Sequence, residues 1–278
     1  MTYSMIELTR DDGVATATIS APPCNVMTVE LWGELDALSR EIEADDDARV
    51  LVLKSADPDF FIAHFDVAAI LDRDVPQPVL PAQAPKPYHV MCERFRTMST
   101  VTIAQIEGRI GGGGSELAAS FDMRFGVRGK TVVNQMEVAL GILPGGTGTQ
   151  RLPRMMGRGR ALEVILGCDD LDAETAEAWG YLNRALDADE IGPFVDRLAR
   201  RIASFPPQAV ALAKRSIDAA AKPLAEGLGD EAFLFQVLLS LPESKRCMAK
   251  FLELGGQTRE GEARMGDLCA ELGLATRE

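Results

Sequence analysis

The sequence predicts an α/β fold built from repeated strand–strand–helix units. Three observations carry that prediction. The chain opens with a period-two hairpin, its later strands are short and apolar on both faces, and a run of glycines joins one such strand directly to a helix.

Residues 3–20 read as a hairpin, with Asp12-Gly13 at the turn between Met5-Ile6-Glu7-Leu8 and the alternating run 14–20. A helix is expected from about Thr28, a good N-cap, because Leu31, Leu35, Leu38 and Ile42 recur on one face. RVLVLKS (49–55) follows as a buried strand, and 56–66 reads as a loop rich in Asp and Phe. Residues 75–87 (VPQPVLPAQAPKP) are too dense in proline for a regular helix or ladder, and read as an exposed segment. VTIAQIEG (101–108) is another strand, running into Gly111–Gly114 with a helix expected to open at Ser115. MRFGV and KTVVNQ look like a second hairpin; a loop containing LPGGTGT then leads into a mainly helical remainder. Trp32 and Trp179 fall at helical positions and are expected in the core.

A net charge of −13 argues against nucleic acid, whose binding rests on basic patches. With 46% hydrophobic and 26% charged residues the composition is globular. Five scattered cysteines without a CxxC, and only two histidines, favour reduced thiols over disulfides or a metal site. No run approaches a membrane span and the N-terminus lacks the features of a signal peptide, so a cytoplasmic protein is expected.

Four glycines between a strand and a helix bring backbone N–H groups close to whatever sits there, and suit an anion or a developing oxyanion. Tight strand–helix packing is the competing explanation. No Lys-Ser/Thr follows the glycines and no GxGxxG occurs, which removes the two common phosphate loops. Glu116, read as lying in the first turn of the helix, and Glu137, read as ending a strand, could converge on this loop as acid and base. Taken singly, each also has an ordinary structural explanation.

IEGRIGGGGSELAASFDMRF, LGILPGGTGTQRLPRMMGRGRALE and AETAEAWGYLNRAL occur in order across residues 106–186, and with these motifs the chain resembles the crotonase (enoyl-CoA hydratase/isomerase) superfamily over about residues 5–255. The resemblance implies a spiral of ββα units over residues 1–195. It also implies a helical region, 196–278, that trimerises and closes the site. It implies an acyl-CoA thioester substrate, a homotrimer or hexamer, and no cofactor beyond the CoA of the substrate. Glu116 and Glu137 match the two glutamates that position water in hydratases. Gly113 and Phe65 match the two backbone donors of the oxyanion hole. Ala63, His64, Asp66, Gly112, Pro144 and Gly145 match substrate-binding positions. Hydration of a 2-enoyl-CoA is the leading expectation; isomerisation, thioester hydrolysis, decarboxylation and an inactive acyl-CoA-binding scaffold stay open.

Departures from the family pattern fall at His64-Phe65, where small residues are usual, and at Thr147, which replaces a glycine of the PGxGGTQ pattern. Each of His64 and Phe65 either reshapes the pocket or turns away into packing. Arg151, Arg154, Arg158 and Arg160 could meet CoA phosphates or form a solvated face. Residues 75–87 could serve as a lid beside the acyl pocket or simply as a surface connection.

Overall fold

A computed structural model describes residues 3–72 and 85–276; most of the proline-rich segment, 75–84, and with it the lid reading, lies outside the described residues. Strands β1 (Ile6–Asp11) and β2 (Val14–Ile19) form the expected antiparallel hairpin. Helix α1 (Val29–Glu43) follows, with the Thr28 hydroxyl accepting from the Leu31 N–H and Leu31, Leu35, Leu38 and Ile42 all buried. Next come β3 (Val50–Ser55), β4 (Phe60–Ile62), α2 (Val67–Leu71) and α3 (Pro87–Thr97). The middle of the chain holds β5 (Val101–Ile106), β6 (Arg109–Gly111), α4 (Gly112–Ala118), β7 (Met123–Val127) and β8 (Val132–Asn134). A 3-10 turn at Glu137–Leu140 leads to α5 (Gly148–Met156), α6 (Arg158–Gly167), β9 (Leu171–Asp172), α7 (Ala173–Trp179) and β10 (Arg184–Leu186). Helices α8 (Ile191–Ala203), α9 (Pro207–Asp218), α10 (Leu224–Ser240), α11 (Pro242–Glu253), α12 (Arg259–Ala263) and α13 (Met265–Ala275) complete the described chain.

Two sheets result. One has the order β1-β2-β3-β5-β7-β10, the other β4-β6-β8-β9. Consecutive strands alternate between them: β3, β5 and β7 enter the large sheet, while β4, β6 and β8 enter the small one. Each pair is followed by a helix or turn, which is the predicted ββα spiral. MRFGV and TVVN are therefore not a hairpin. β7 pairs in parallel with β5 and β10, whereas β8 pairs with β6 and β9. The loop expected at 56–66 likewise contains a strand, β4.

Period-two alternation sorts the large sheet's side chains between two cores. Leu51, Leu53, Ala104 and Ile106 face one with α1 and α3. Val50, Val52, Val101 and Ile103 face the other, where Ile191, Val195, Ala199 and Ala203 of α8 cover them. Strands covered on both faces read as largely apolar runs, which makes Val50–Leu53 and the mostly apolar 101–106, interrupted by the buried polar Thr102 and Gln105, legible. Helix α8, which covers this face of the sheet, runs through residues 195 and 196. Trimming a fully buried Leu51 or Leu53 to Ala should cost about 2–5 kcal/mol.

Candidate active site

Three neighbouring parallel strands of the small sheet, β4, β6 and β8, end on the same side. Beyond β4 the chain runs through Ala63-His64 to Phe65; beyond β6 it enters Gly112-Gly113; beyond β8 it reaches Glu137. Carboxyl ends of parallel strands are where α/β folds place ligands. A cavity of about 370 Å³ opens there, lined by Phe65, Gly113, Glu116, Glu137 and Gly145 together with Trp32, Tyr88, His89 and Gly146.

The helix does not open at Ser115. Glycines 112–114 form its first turn, Gly111 is its N-cap, and Glu116 is its fifth residue. Nor does Glu137 end a strand; it begins the 3-10 turn after β8. The glycines allow close packing as well as exposing amides. A Cβ on Gly113 would lie 3.1 Å from Phe65 Cβ and 3.6 Å from the Phe65 nitrogen, so only glycine lets these two backbones approach without displacing a neighbour. A parallel bridge fixes Phe65: Met27 N–H donates to the His64 carbonyl at 2.8 Å, and Asp66 N–H to the Met27 carbonyl at 3.0 Å.

Glu116 is buried, and its Oε1 accepts three backbone N–H bonds: Gly146 at 2.8 Å, Thr147 at 2.9 Å and Gly148 at 2.7 Å. These amides sit at the start of α5, whose dipole also favours negative charge. Burial raises the carboxyl above its ordinary value, and the three amides pull it back. A Cβ on Gly146 would stand 2.5 Å from Glu116 Oε2, which explains the glycine at that position. Thr147 holds φ 152°, in the territory of glycine, and its hydroxyl donates to the Glu116 carbonyl at 3.2 Å.

Glu137 has a different environment. Its Oε2 is buried with no hydrogen-bond partner, and burial, with the nearby Glu116 charge adding to it, pushes its carboxyl from 4.5 to about 7. One carboxylate is thus held by amides, and the other has little to stabilise its charge. Such a contrast separates a base from an acid.

The remaining predicted positions surround the cavity without lining it. Ala63 is buried against Gly111, and His64 turns its Nδ1 to the Phe65 carbonyl at 2.9 Å. Asp66 caps α2 through Ala68 and Ala69, Gly112 packs on His64 and Glu137, and Pro144 packs on Gly148. His64 and Phe65 therefore part company, since Phe65 forms cavity wall. Trp32, expected in the core, packs against the core's edge and also lines the cavity. The ring centroids of Trp32, Phe65 and Tyr88 lie 6.1–6.2 Å from one another. Among the four arginines, Arg151 is paired with Glu93 and Arg160 stacks on Trp179.

Tyr88 and His89 had no signal in the sequence. Tyr88 Oη donates to the Gly113 carbonyl at 2.6 Å, and His89 Nε2 lies 2.8 Å from the Gly145 carbonyl. Pro87 at the first position of α3 marks where that helix begins, and only the spatial placement of α3 brings its first turn to the cavity.

A family profile described as enoyl-CoA hydratase/isomerase matches residues 9–259. The chain belongs to this family. Its sequence is 27% identical over 259 residues to a short-chain-enoyl-CoA hydratase of Clostridium acetobutylicum, covering 91% of this chain and 96% of that protein. A Streptomyces avermitilis crystal structure, provisionally described as an enoyl-CoA hydratase, is 37% identical with both chains fully covered and a TM-score of 0.70. An enoyl-CoA hydratase structure from Geobacillus kaustophilus gives a TM-score of 0.81 at 26% identity, covering 91% of this chain and 95% of that one. Membership confirms the family expected from the three motifs and its ββα spiral. Among the described residues, no helix is long and apolar enough to cross a membrane.

Proposed function

We propose that this family member hydrates a 2-enoyl-CoA to a 3-hydroxyacyl-CoA, with Glu116 as base, Glu137 as acid, and the Gly113 and Phe65 N–H groups holding the thioester oxygen. The observation that carries this reading is the unequal pair of carboxylates on one cavity. Glu116, supported by three amides, takes a proton from water as its oxygen bonds to C3. The C2–C3 π electrons move toward the thioester, whose oxygen becomes an enolate under the two backbone donors. Glu137 then delivers its proton to C2. The hydroxyl and the hydrogen gained by the product sum to one water, and the pair holds one proton before and after. Each backbone donor of such a hole contributes about 2.7–4 kcal/mol to transition-state stabilisation. Carboxylates, amides and water supply every step.

Incubation with a panel of enoyl-CoA thioesters, read by mass spectrometry, tests the proposal. Gain of one water that disappears in Glu137→Gln supports it; product of unchanged mass points to double-bond isomerisation. Full activity in Glu137→Gln overturns the two-glutamate mechanism.

The helices after α8 are assigned to assembly into a homotrimer or hexamer. Leu224, Leu228, Phe233 and Phe235 of α10 are exposed, a large apolar surface for one chain. All five cysteines are unbridged, which suits a reducing compartment, and the cytoplasm is the proposed location.

A further inference from the structure

His89 belongs to neither the acid–base pair nor the oxyanion donors, yet it touches the one peptide group that connects it to Glu116. Its Nδ1 lies 3.3 Å from the Lys86 backbone nitrogen and accepts that N–H. The ring proton then resides on Nε2, which donates to the Gly145 carbonyl at 2.8 Å. That carbonyl shares its peptide bond with the Gly146 N–H, and this N–H donates to Glu116 Oε1 at 2.8 Å. The result is an unbroken chain of donors, Lys86 N–H to His89 to peptide 145–146 to Glu116. Hydrogen bonds in such chains polarise one another, so a donor on a carbonyl strengthens the N–H at the other end of the same amide.

We propose that His89 is a positioning residue that acts through the Gly145–Gly146 peptide, orienting the Gly146 N–H and holding Glu116 in the ionised, water-activating form. The inference deepens the hydration reading and rests on it for the identity of the base.

Two features of the site support this. Gly146 cannot be reinforced by a side chain of its own, because a Cβ there would collide with Glu116 Oε2 and with Tyr88 Cε1 at 2.7 Å. Support for this amide must come from outside the loop, and α3 supplies it. The other groups within reach of the Glu116 charge are Tyr88 and Cys92 on α3, Glu137 after β8, and Tyr181 after α7. Burial keeps Tyr88, Cys92 and Tyr181 in their neutral forms, and Glu137 adds negative charge. His89 is the group among these that hydrogen-bonds to the loop whose amides hold Glu116.

The test compares the wild type with His89→Ala and His89→Gln; the glutamine amide can still donate to the Gly145 carbonyl. In His89→Ala, the acid limb of the hydration pH profile should move to higher pH, with kcat/KM on that side falling about three- to tenfold. Most of the fall should be in kcat, with KM little changed. His89→Gln should restore the limb. An infrared titration of the Glu116 carboxyl, assigned by difference against Glu116→Gln, should move in the same direction and needs no turnover. It therefore decides the His89 proposal even if the chain hydrates nothing, an outcome that would overturn the hydration reading separately. An unshifted Glu116 titration in His89→Ala, or equal shifts in both variants, overturns the relay. Because His89 sits half-buried in the first turn of α3, urea midpoints close to wild type are expected for both variants. If His89→Ala alone fails to fold, His89→Leu, which fills the same space without a hydrogen bond, takes its place with the same expected shift and the same overturning result.

Discussion

The phenol of Tyr88 donates to the carbonyl of Gly113 at 2.6 Å, so the residue proposed as an oxyanion donor is held from behind by a side chain on α3. Its placement therefore depends on a residue 25 positions away in sequence. Tyr88→Phe removes this bond and retains the ring in its contacts with Trp32 and Phe65. Losing a buried hydrogen bond costs about 1–3 kcal/mol, and we expect kcat for hydration to fall about tenfold while KM changes little. Steady-state kinetics on one enoyl-CoA check this. An unchanged kcat would mean that Gly113 is fixed without Tyr88.

Glu137, at about 7, should set the alkaline limb of activity. The competent pair carries one proton, on Glu137 for hydration and on Glu116 for the reverse reaction. Above pH 7 that proton is lost, so kcat/KM for hydration should fall about tenfold per pH unit. Dehydration of the 3-hydroxyacyl-CoA should show the same limb, since both directions start from a pair with the same proton count. Profiles of kcat/KM measured in both directions check this, and limbs that differ would rule out the shared proton.

The same raised carboxyl has a stability consequence. Well below pH 4.5 Glu137 is protonated in both folded and unfolded chains and carries no penalty. As pH rises from 4.5 to 7 the unfolded chain ionises first, and stability falls through that window. Glu137→Gln, neutral throughout, should match wild type in acid and exceed it above pH 7 by roughly 3 kcal/mol at most. Urea melts at pH 4.5 and 8 measure the difference. A glutamine variant that is less stable at pH 8 would contradict an unpartnered, desolvated carboxylate.

Thr147 gives a third contrast. At φ 152° glycine is the natural occupant, and the threonine is retained with a hydroxyl bond to the Glu116 carbonyl. Thr147→Ala loses the bond and keeps the strain, which is of order 1–3 kcal/mol. Thr147→Gly loses the bond but relieves the strain. We expect the glycine variant to be the more stable of the two by about 1 kcal/mol, reversing the usual order at ordinary backbone angles. Thermal or urea melts of the pair decide it.

The fold was legible where one physical demand dominates. Strands covered on both faces are mostly apolar, and the Thr28 cap with Leu31, Leu35, Leu38 and Ile42 marks one side of α1. The partner of β8 was not legible, because VVN is too short to carry register and its neighbour Arg109–Gly111 is hidden in the glycine run. Glu116 and Glu137 came through their motifs, and Gly113 through a run of residues that only close approach explains. Tyr88, His89 and the cavity face of Trp32 left no local mark. Their role arises from α3 lying across α1 and the loop 144–148, and no local spacing along the sequence encodes that contact.

Helix α10 makes the last prediction. Of its apolar residues Leu234 is buried, while Phe233 and Phe235 are 63% and 60% exposed and Leu224 reaches 78%. Residues two apart on a helix point roughly 200° from each other, so the helix is apolar on opposite sides. A helix with that pattern belongs inside an assembly. Each phenylalanine buried from water contributes about 1.5–3 kcal/mol, and replacing one with aspartate also puts a charge into the contact. Phe233→Asp with Phe235→Asp should therefore reduce the mass in solution to that of a single 30.0 kDa chain, while the wild type runs as three or six chains. Size-exclusion chromatography with light scattering reads both. A wild type of one-chain mass would leave these phenylalanines facing water and refute the assembly proposed for the helices after α8.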